Sequence, residues 1–198
     1  MKAYLFEYID IHSKDGLIQA FYSKASDDVR SRGVFWMSQL FGESKQGKDT
    51  VLWGRIWDLW QWRIQSAVEN EGQGEFSKEL SDYLRILPSV PLNLGELYDT
   101  LKTTFGFMKS RGFDIGNVLK YLAEQSEEFT NLAVDLLHEI IVKFKDFYIL
   151  PENRENIKTI LDRAQSTSDE TEEKVIEIVN TFGERGDYSW RPWLEREV

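Results

Sequence analysis

The sequence predicts an all-α protein made of stacked antiparallel helical hairpins. Hydrophobic residues recur with a period of about 3.6 along nearly the whole chain, and strand-like alternation is almost absent. Short loops that are polar or contain glycine or proline separate the periodic segments, so consecutive helices should pack antiparallel. With 198 residues the chain can bury a sizeable core. We expect one domain over residues 1–198, which could also be a fragment of a longer multidomain protein.

Ten helices follow from the periodicity and from local boundary signals. Ser26 is a suitable N-cap before two acids, and Pro88 should end the fifth helix. Gly112 fits the left-handed position after the sixth helix, with Phe113 folding back as its apolar contact. The predicted positions are about 2–11, 15–24, 27–41, 49–69, 75–87, 93–110, 114–125, a helix opening at Ser126, 152–166, and a helix capped by residues 168–170 that ends before Gly183.

These helices suit an α-solenoid of the HEAT or armadillo kind, because the last hairpins offer apolar surface to more than one neighbour. No strict sequence period is visible, so a compact orthogonal helical bundle is the alternative architecture.

The charge balance excludes several classes of protein. The chain has 24 Lys and Arg against 34 Asp and Glu, a net charge of −10, which is a poor basis for binding nucleic acid. It has no cysteine, which excludes disulfides and thiolate metal sites. No signal peptide or membrane span is predicted, and we expect a cytoplasmic protein. Five of the seven Trp lie in residues 1–62, where 8 basic and 8 acidic residues balance.

No motif for catalysis, a metal or a cofactor is found, and the sequence predicts a protein that is not an enzyme. Phosphate-loop, nucleophile-elbow and His-Glu-x-x-His patterns are missing. His138 precedes Glu139 but lacks a second histidine, so it is interpreted as a core or boundary residue. The acidic run 169–173 opens a helix, where exposed negative charge is favourable.

The fourth predicted helix has an unusual density of tryptophan. At about 100° per residue, Trp53, Trp57, Trp60 and Ile64 share one face and should be core. Trp62 falls on the opposite side, where it is either covered by a neighbouring hairpin or exposed as a binding anchor. A candidate interaction surface therefore consists of Trp62, Arg63, Arg55, Trp190 and Trp193.

Several local patterns resemble those of a known family. They are Arg30 or Arg32 in an apolar helix ending Leu40-Phe41, Leu59-Trp60-Gln61-Trp62-Arg63 as an L-W-x-x-R motif, Glu79-Leu80, residues 118–123, 132–137 and 160–164, the run 180–186 as N-x-[LF]-G-x-R-G, and Arg191-Pro192-Trp193-Leu194. Over about residues 18–195 the chain resembles the HEAT-like helical C-terminal region of bacterial multidomain NACHT or STAND-like NTPases associated with anti-phage defence.

The resemblance implies sensing or protein interaction, with ATP chemistry in a separate domain. No Walker motif lies in this chain, so no catalytic role is transferred. Gly183, Arg185 and Gly186 match the family motif, and their simplest role is to end the last helix.

The leading hypothesis is a non-enzymatic helical-repeat interaction or sensor module. Its partner would be a protein or an NTPase domain of the same parent chain. The alternative is a helical bundle that binds a small apolar ligand in a Trp-rich pocket, or an uncharacterised enzyme. A fully packed Trp cluster would argue against that alternative.

Overall fold

The computed structural model describes residues 11–12, 17–43, 50–70, 77–108, 115–144, 150–164 and 168–194. Within these ranges the protein is helical and contains no strand, which confirms the all-α prediction. The α-helices are α1 (Leu17–Lys24), α2 (Asp27–Glu43), α3 (Thr50–Glu69), α4 (Ser77–Tyr83), α5 (Leu94–Phe107), α6 (Ile115–Gln125), α7 (Thr130–Lys143), α8 (Pro151–Arg163) and α9 (Asp169–Glu184). Two 3₁₀ helices cover Leu84–Ser89 and Tyr188–Trp193.

The chain divides into two compact units. Unit 1 comprises Met1–Pro91 and Gly106–Asp114, and unit 2 comprises Leu92–Phe105 and Ile115–Val198. In unit 1, α2 packs against α4 and the first 3₁₀ helix, and α3 contacts both α2 and α4. Its fully buried side chains include Ile56, Leu59, Trp60, Leu80 and Tyr83.

Unit 2 has an aliphatic core. Helix α6 packs against α8, and α7 packs against α9, while α7 also contacts both α6 and α8. The second 3₁₀ helix lies against α9. Fully buried aliphatic residues come from each of these helices: Leu119, Leu122, Val134, Leu136, Leu137, Ile140, Ile160, Leu161 and Ile178.

The eighth predicted helix begins later than expected. Residues 126–128 form a turn, and α7 starts at Thr130. The backbone N–H groups of Glu128 and Phe129 donate back to the carbonyl of Gln125, so this segment closes the preceding helix. The prediction that a helix opens at Ser126 is therefore wrong by one turn.

The fifth predicted helix changes character before Pro88. The α-helix ends at Tyr83, and a 3₁₀ helix continues to Ser89 with Pro88 inside it. Proline lacks a backbone N–H and disfavours α geometry in the residue before it. A tighter helix accommodates both restrictions over this short segment.

The last helix passes through Gly183 and ends at Glu184. Gly186 then adopts φ 84°. The N–H of Gly186 donates to the carbonyl of Gly183 at 2.9 Å, and the N–H of Asp187 donates to that of Phe182 at 2.9 Å. This is a Schellman motif, so Gly186 ends the helix while Gly183 does not.

Other predicted boundaries are confirmed within three residues. Helix α2 follows Ser26, α8 begins at Pro151 as its first residue, and α9 follows Ser168. The predicted helix over 2–11 lies outside the described residues except for Ile11, and the predicted turn at Gly112 and Phe113 lies outside them entirely.

Candidate interaction surface

Two of the five predicted surface residues are buried, which corrects the sequence-based surface. Arg63 is 5% exposed and Trp190 is 1% exposed. Trp62, Arg55 and Trp193 are half-buried. Helical spacing placed Trp62 correctly on the side of α3 away from Trp60, but it did not reveal which elements cover that side.

Arg63 belongs to a buried ionic network in unit 1. Its Nε donates to Glu79 Oε1 at 2.8 Å, and Arg30 Nε donates to Glu79 Oε2 at 2.7 Å. Glu79 is fully buried. Burial raises the pKa of the Glu79 carboxyl, and hydrogen bonds from the two guanidinium groups oppose that increase. The network joins α2, α3 and α4, so Arg63 holds this unit together.

Asp27 adds a second polar link between α2 and α4. Its two carboxylate oxygens accept the backbone N–H groups of Lys78 and Glu79 at 3.1 and 2.9 Å. Asp27 thus caps the start of α4 from a helix that lies 50 residues earlier in the chain. Ser31 on α2 also donates to Asp82 on α4 at 2.5 Å.

Aromatic rings fill the remainder of this core. Trp62 meets Tyr22 edge to face at 5.9 Å, and the Arg63 guanidinium lies 5.1 Å from the Tyr22 ring centre. Trp62 is therefore covered on one side by α1, which was one of the two predicted outcomes.

The tryptophan rings on the predicted buried face of α3 contact one another. The ring centres of Trp53 and Trp57 are 5.8 Å apart, and Trp57 meets Trp60 at 6.1 Å. Trp60 is fully buried and stacks on Tyr83 at 5.4 Å. Ile64 is buried as predicted, and only Trp57 keeps a partly exposed ring.

Trp190 is a core residue of unit 2. Its ring stacks on Phe182 at 4.8 Å, and its Nε1 donates to Asp187 at 3.0 Å. Arg154 donates to the same carboxylate at 2.6 Å and lies over the Trp190 ring. Trp193 donates from Nε1 to Asp162 at 3.1 Å. The second 3₁₀ helix therefore contacts both α8 and α9 through these side chains.

The most exposed tryptophan of the described chain is Trp36 on α2, which the sequence reading did not select. Trp36 is 63% exposed. It lies about 180° around the helix axis from the buried Asp27. Phe35 meets it edge to face at 5.9 Å, and the Arg85 guanidinium lies over the Phe35 ring at 5.6 Å. The signal for this exposure in the sequence is that Trp36 shares one side of α2 with Arg32 and Gln39.

The residues around Trp36 define a surface that we name the α2 face. It consists of Val29, Arg32, Gly33, Trp36 and Gln39, which are the residues with described side chains that lie within about 60° of Trp36 around the axis. Val29, Arg32 and Gln39 are exposed. A Cβ atom built on Gly33 meets nothing within 4 Å, so the space beside Gly33 is open. The α2 face thus presents an exposed aromatic ring with Arg32 one turn earlier on the helix.

Unit 2 carries a polar network centred on Asp135. Its carboxylate accepts from Lys102 at 2.8 Å, Lys174 at 2.5 Å and Tyr98 at 2.5 Å, which joins α5, α7 and α9. Burial acts against ionisation of Asp135, but the lysine hydrogen bonds outweigh it and lower its pKa.

The other polar residues singled out in unit 2 also lie where the sequence indicated. His138 is half-buried and pairs with Glu177 at 2.5 Å, which confirms it as a boundary residue. The acids of the run 169–173 are exposed in the first turn of α9.

No known protein family, curated protein or solved structure matches this chain. The resemblance to NACHT or STAND-like NTPases therefore stays a prediction. None of the described helices combines the length and the apolarity needed to cross a membrane.

Proposed function

We propose that this protein is a non-enzymatic helical interaction or sensor module that works with a bacterial defence or signalling NTPase. The observation that carries the proposal is the α2 face, where a largely exposed Trp36 lies one turn from Arg32. Tryptophan and arginine are the residue types that most often dominate binding energy at protein interfaces. Exposed apolar patches on protein surfaces often mark interaction sites, and Trp36 lies close to the exposed Val29 and Phe35.

The packing of unit 2 favours a helical-repeat architecture. Helix α6 packs on α8 and α7 packs on α9, so in both cases a helix packs on the next helix but one along the chain. That order is typical of α-solenoids, whose stacked hairpins provide extended surfaces for partners. An orthogonal bundle does not require such pairing.

The small-ligand alternative loses its main support. It needs a cavity beside Trp53, Trp57 or Trp60, whereas these rings contact one another and Trp60 stacks on Tyr83. Trp53 and Trp60 are buried in the core, while Trp57 remains half-buried.

Co-purification tests the proposal. The tagged full chain is expressed together with the proteins encoded by its neighbouring genes, as wild type, Trp36→Ala and Val68→Ala. Val68 is a matched control, since it is an exposed hydrophobic residue of the same unit, on α3. We expect the wild type and Val68→Ala to retain an NTPase and Trp36→Ala to lose most of it. If the wild type retains no NTPase, or if Trp36→Ala binds as well as the wild type, the proposal is wrong.

A further inference from the structure

We propose that α1 covers a second binding site in unit 1, and that this site accepts a tyrosine side chain presented by a partner protein. In the structure the site is filled by Tyr22 of the same chain, which is 3% exposed. The site is formed by residues of α3 and α4 and uses no residue of the α2 face, so it goes beyond the proposed function.

Only one side chain of α1 is buried. Six of the eight residues of this helix are exposed, and Tyr22 is the buried one. The large hydrophobic residues Leu17 and Phe21 are 50% and 44% exposed. A helix of this length is not stable in isolation, and elements with few buried apolar groups open locally at the smallest cost in free energy. We therefore expect α1 to be the first helix of unit 1 to detach.

The junction between α1 and α2 provides a pivot for this movement. Arg30 of α2 donates from Nη1 to the carbonyl of Ala25. The carbonyl of Ser26 accepts the backbone N–H groups of Val29 and Arg30, each at 3.0 Å. These bonds hold residues 25 and 26 to α2, so α1 can leave the site while its C-terminal end stays in place.

An arginine and a tryptophan of α3 form the walls of the site. Tyr22 meets Trp62 edge to face at 5.9 Å. The guanidinium carbon of Arg63 lies 5.1 Å from the centre of the Tyr22 ring and 5.2 Å from that of Trp62. Rings and guanidinium groups attract one another at such distances. Release of Tyr22 uncovers this pair, and arginine and tryptophan are the residue types that often dominate binding energy at interfaces.

The inner end of the site favours a ring that carries a hydroxyl group. The Tyr83 hydroxyl of α4 is buried and makes no hydrogen bond of ordinary geometry with the described residues. It lies close enough to the Tyr22 hydroxyl for each to affect the pKa of the other, and burial raises both pKa values. Both phenols are therefore neutral at pH 7. An incoming hydroxyl that reaches Tyr83 at hydrogen-bond distance would satisfy this buried group.

These groups together define tyrosine as the ligand. The present occupant is a tyrosine on a helix, so a tyrosine on a partner can repeat its contacts with Trp62 and Arg63. A phenylalanine would leave the Tyr83 hydroxyl unsatisfied. Because the partner has to replace Tyr22, its apparent affinity is reduced in proportion to the fraction of molecules in which α1 is open. Loosening α1 should therefore strengthen binding.

Fluorescence polarisation of a labelled peptide tests the proposal with the full chain. The peptide has the sequence of residues 17–26 and supplies the tyrosine from a separate molecule. We expect Tyr22→Ala, which empties the site, to bind the peptide at least about tenfold more tightly than the wild type, whose open state should be populated at about 10% or less. The same peptide carrying Tyr22→Ala should not bind. A peptide carrying Tyr22→Phe should bind roughly fivefold more weakly, since it lacks the hydroxyl.

A second protein variant loosens α1 without changing the site. Ala20 is exposed on α1, and Ala20→Gly should raise the open fraction about fourfold through helix propensity, with the same gain in peptide affinity. Lys120→Gly is the matched control, because it places glycine at an exposed position of α6 in unit 2 and should leave binding as in the wild type. Circular dichroism checks the folding of each variant. If Tyr22→Ala does not fold, Ala20→Gly decides the outcome.

Three results would overturn the proposal. They are a folded Tyr22→Ala protein that does not bind the peptide, equal binding of the tyrosine and alanine peptides, and an Ala20→Gly protein that binds no better than Lys120→Gly. None of these measurements involves Trp36 or a co-expressed protein. Retention of an NTPase through Trp36 would therefore support the proposed function even if the peptide does not bind, and peptide binding would support the tyrosine site even if no NTPase is retained.

Discussion

The two units are built with different interiors. All the buried charged residues of the described chain lie in unit 1: Asp27, Arg30, Arg63, Glu79 and Asp82. The buried polar residues described in unit 2 are neutral: Thr100, Thr104, Ser126, Asn153 and Thr171. Of the eleven large hydrophobic residues that are exposed in the described ranges, seven belong to unit 1, namely Leu17, Phe21, Val29, Phe35, Trp36, Val51 and Val68.

The difference shows two ways to define helix packing. In unit 2, aliphatic side chains fill the space between hairpins, and the ion pairs lie at the edges where lysines reach Asp135. In unit 1, hydrogen bonds from arginines and the cap from Asp27 set where α2 and α4 meet. Buried charges add little net stability, but they exclude alternative packings that would leave them unpaired. In unit 1, buried charged groups thus set the packing of α2 on α4, and more of the large hydrophobic side chains described are exposed there than in unit 2.

Removing the central carboxylate should have the largest effect. Glu79→Ala leaves Arg30 and Arg63 buried without a counter-charge, and we expect a loss of about 3–5 kcal/mol in the free energy of unfolding. Hydrogen exchange measured by mass spectrometry should show lost protection in α2, α3 and α4. The effect should be concentrated in unit 1.

Glu128→Ala is the matched control, because it removes an exposed glutamate of unit 2 and should change stability by less than about 0.5 kcal/mol. Replacing all three charges with Met or Leu should recover most of the loss. If Glu79→Ala lowers the free energy of unfolding by less than about 1 kcal/mol, the network does not have the structural role described here.

A smaller effect is expected in unit 2, with a different pH dependence. Asp135→Asn should lower stability at pH 7 by about 1–2 kcal/mol, since two lysines lose a charged acceptor. The pKa of Asp135 is lowered in the folded state, so its contribution is present above the unfolded pKa of about 3.9. It is lost as the pH falls from there through the folded value.

Urea unfolding at pH 7, 5 and 3 measures this contribution. The wild type should lose more stability than Asp135→Asn between pH 5 and 3, so the two curves should converge in acid. Asp99→Asn, an exposed change on α5, is the control and should change stability at pH 7 by less than about 0.5 kcal/mol. Parallel curves for the wild type and Asp135→Asn would show that the carboxylate does not carry the acid sensitivity.

Hydrophobic periodicity correctly predicted the burial of side chains that depends on one helix. It did not predict burial that depends on contacts between several helices. The burial of Trp53, Trp60 and Ile64 follows from their spacing on α3, because neighbouring turns face the same side. The burial of Arg63 depends on Glu79, which reaches it only after the chain has turned back. Spacing alone cannot show which acid will meet a given arginine.

The same limit explains the missed surface and the missed turn. The exposure of Trp36 is foreshadowed only by Arg32 and Gln39 on the same side of α2, which is a weaker signal than the repeated spacing of the α3 tryptophans. The turn at Ser126 depends on backbone hydrogen bonds to Gln125, for which the acidic residues that follow gave a misleading helix-start signal.

The smallest expected change in stability comes from replacing one glycine of each unit with alanine. Gly33 lies inside α2 with open space around its missing Cβ, so Gly33→Ala should stabilise the protein by about 0.5–1 kcal/mol through helix propensity. Gly95 lies at the start of α5, where a Cβ would meet the Phe129 ring at 3.0 Å and Asn93 Oδ1 at 3.2 Å. Gly95→Ala should therefore give no gain or a loss in thermal unfolding. A gain from Gly95→Ala that equals the gain from Gly33→Ala would mean that the start of α5 can move away from Phe129. Unit 2 would then be less tightly packed at that end than its aliphatic core suggests.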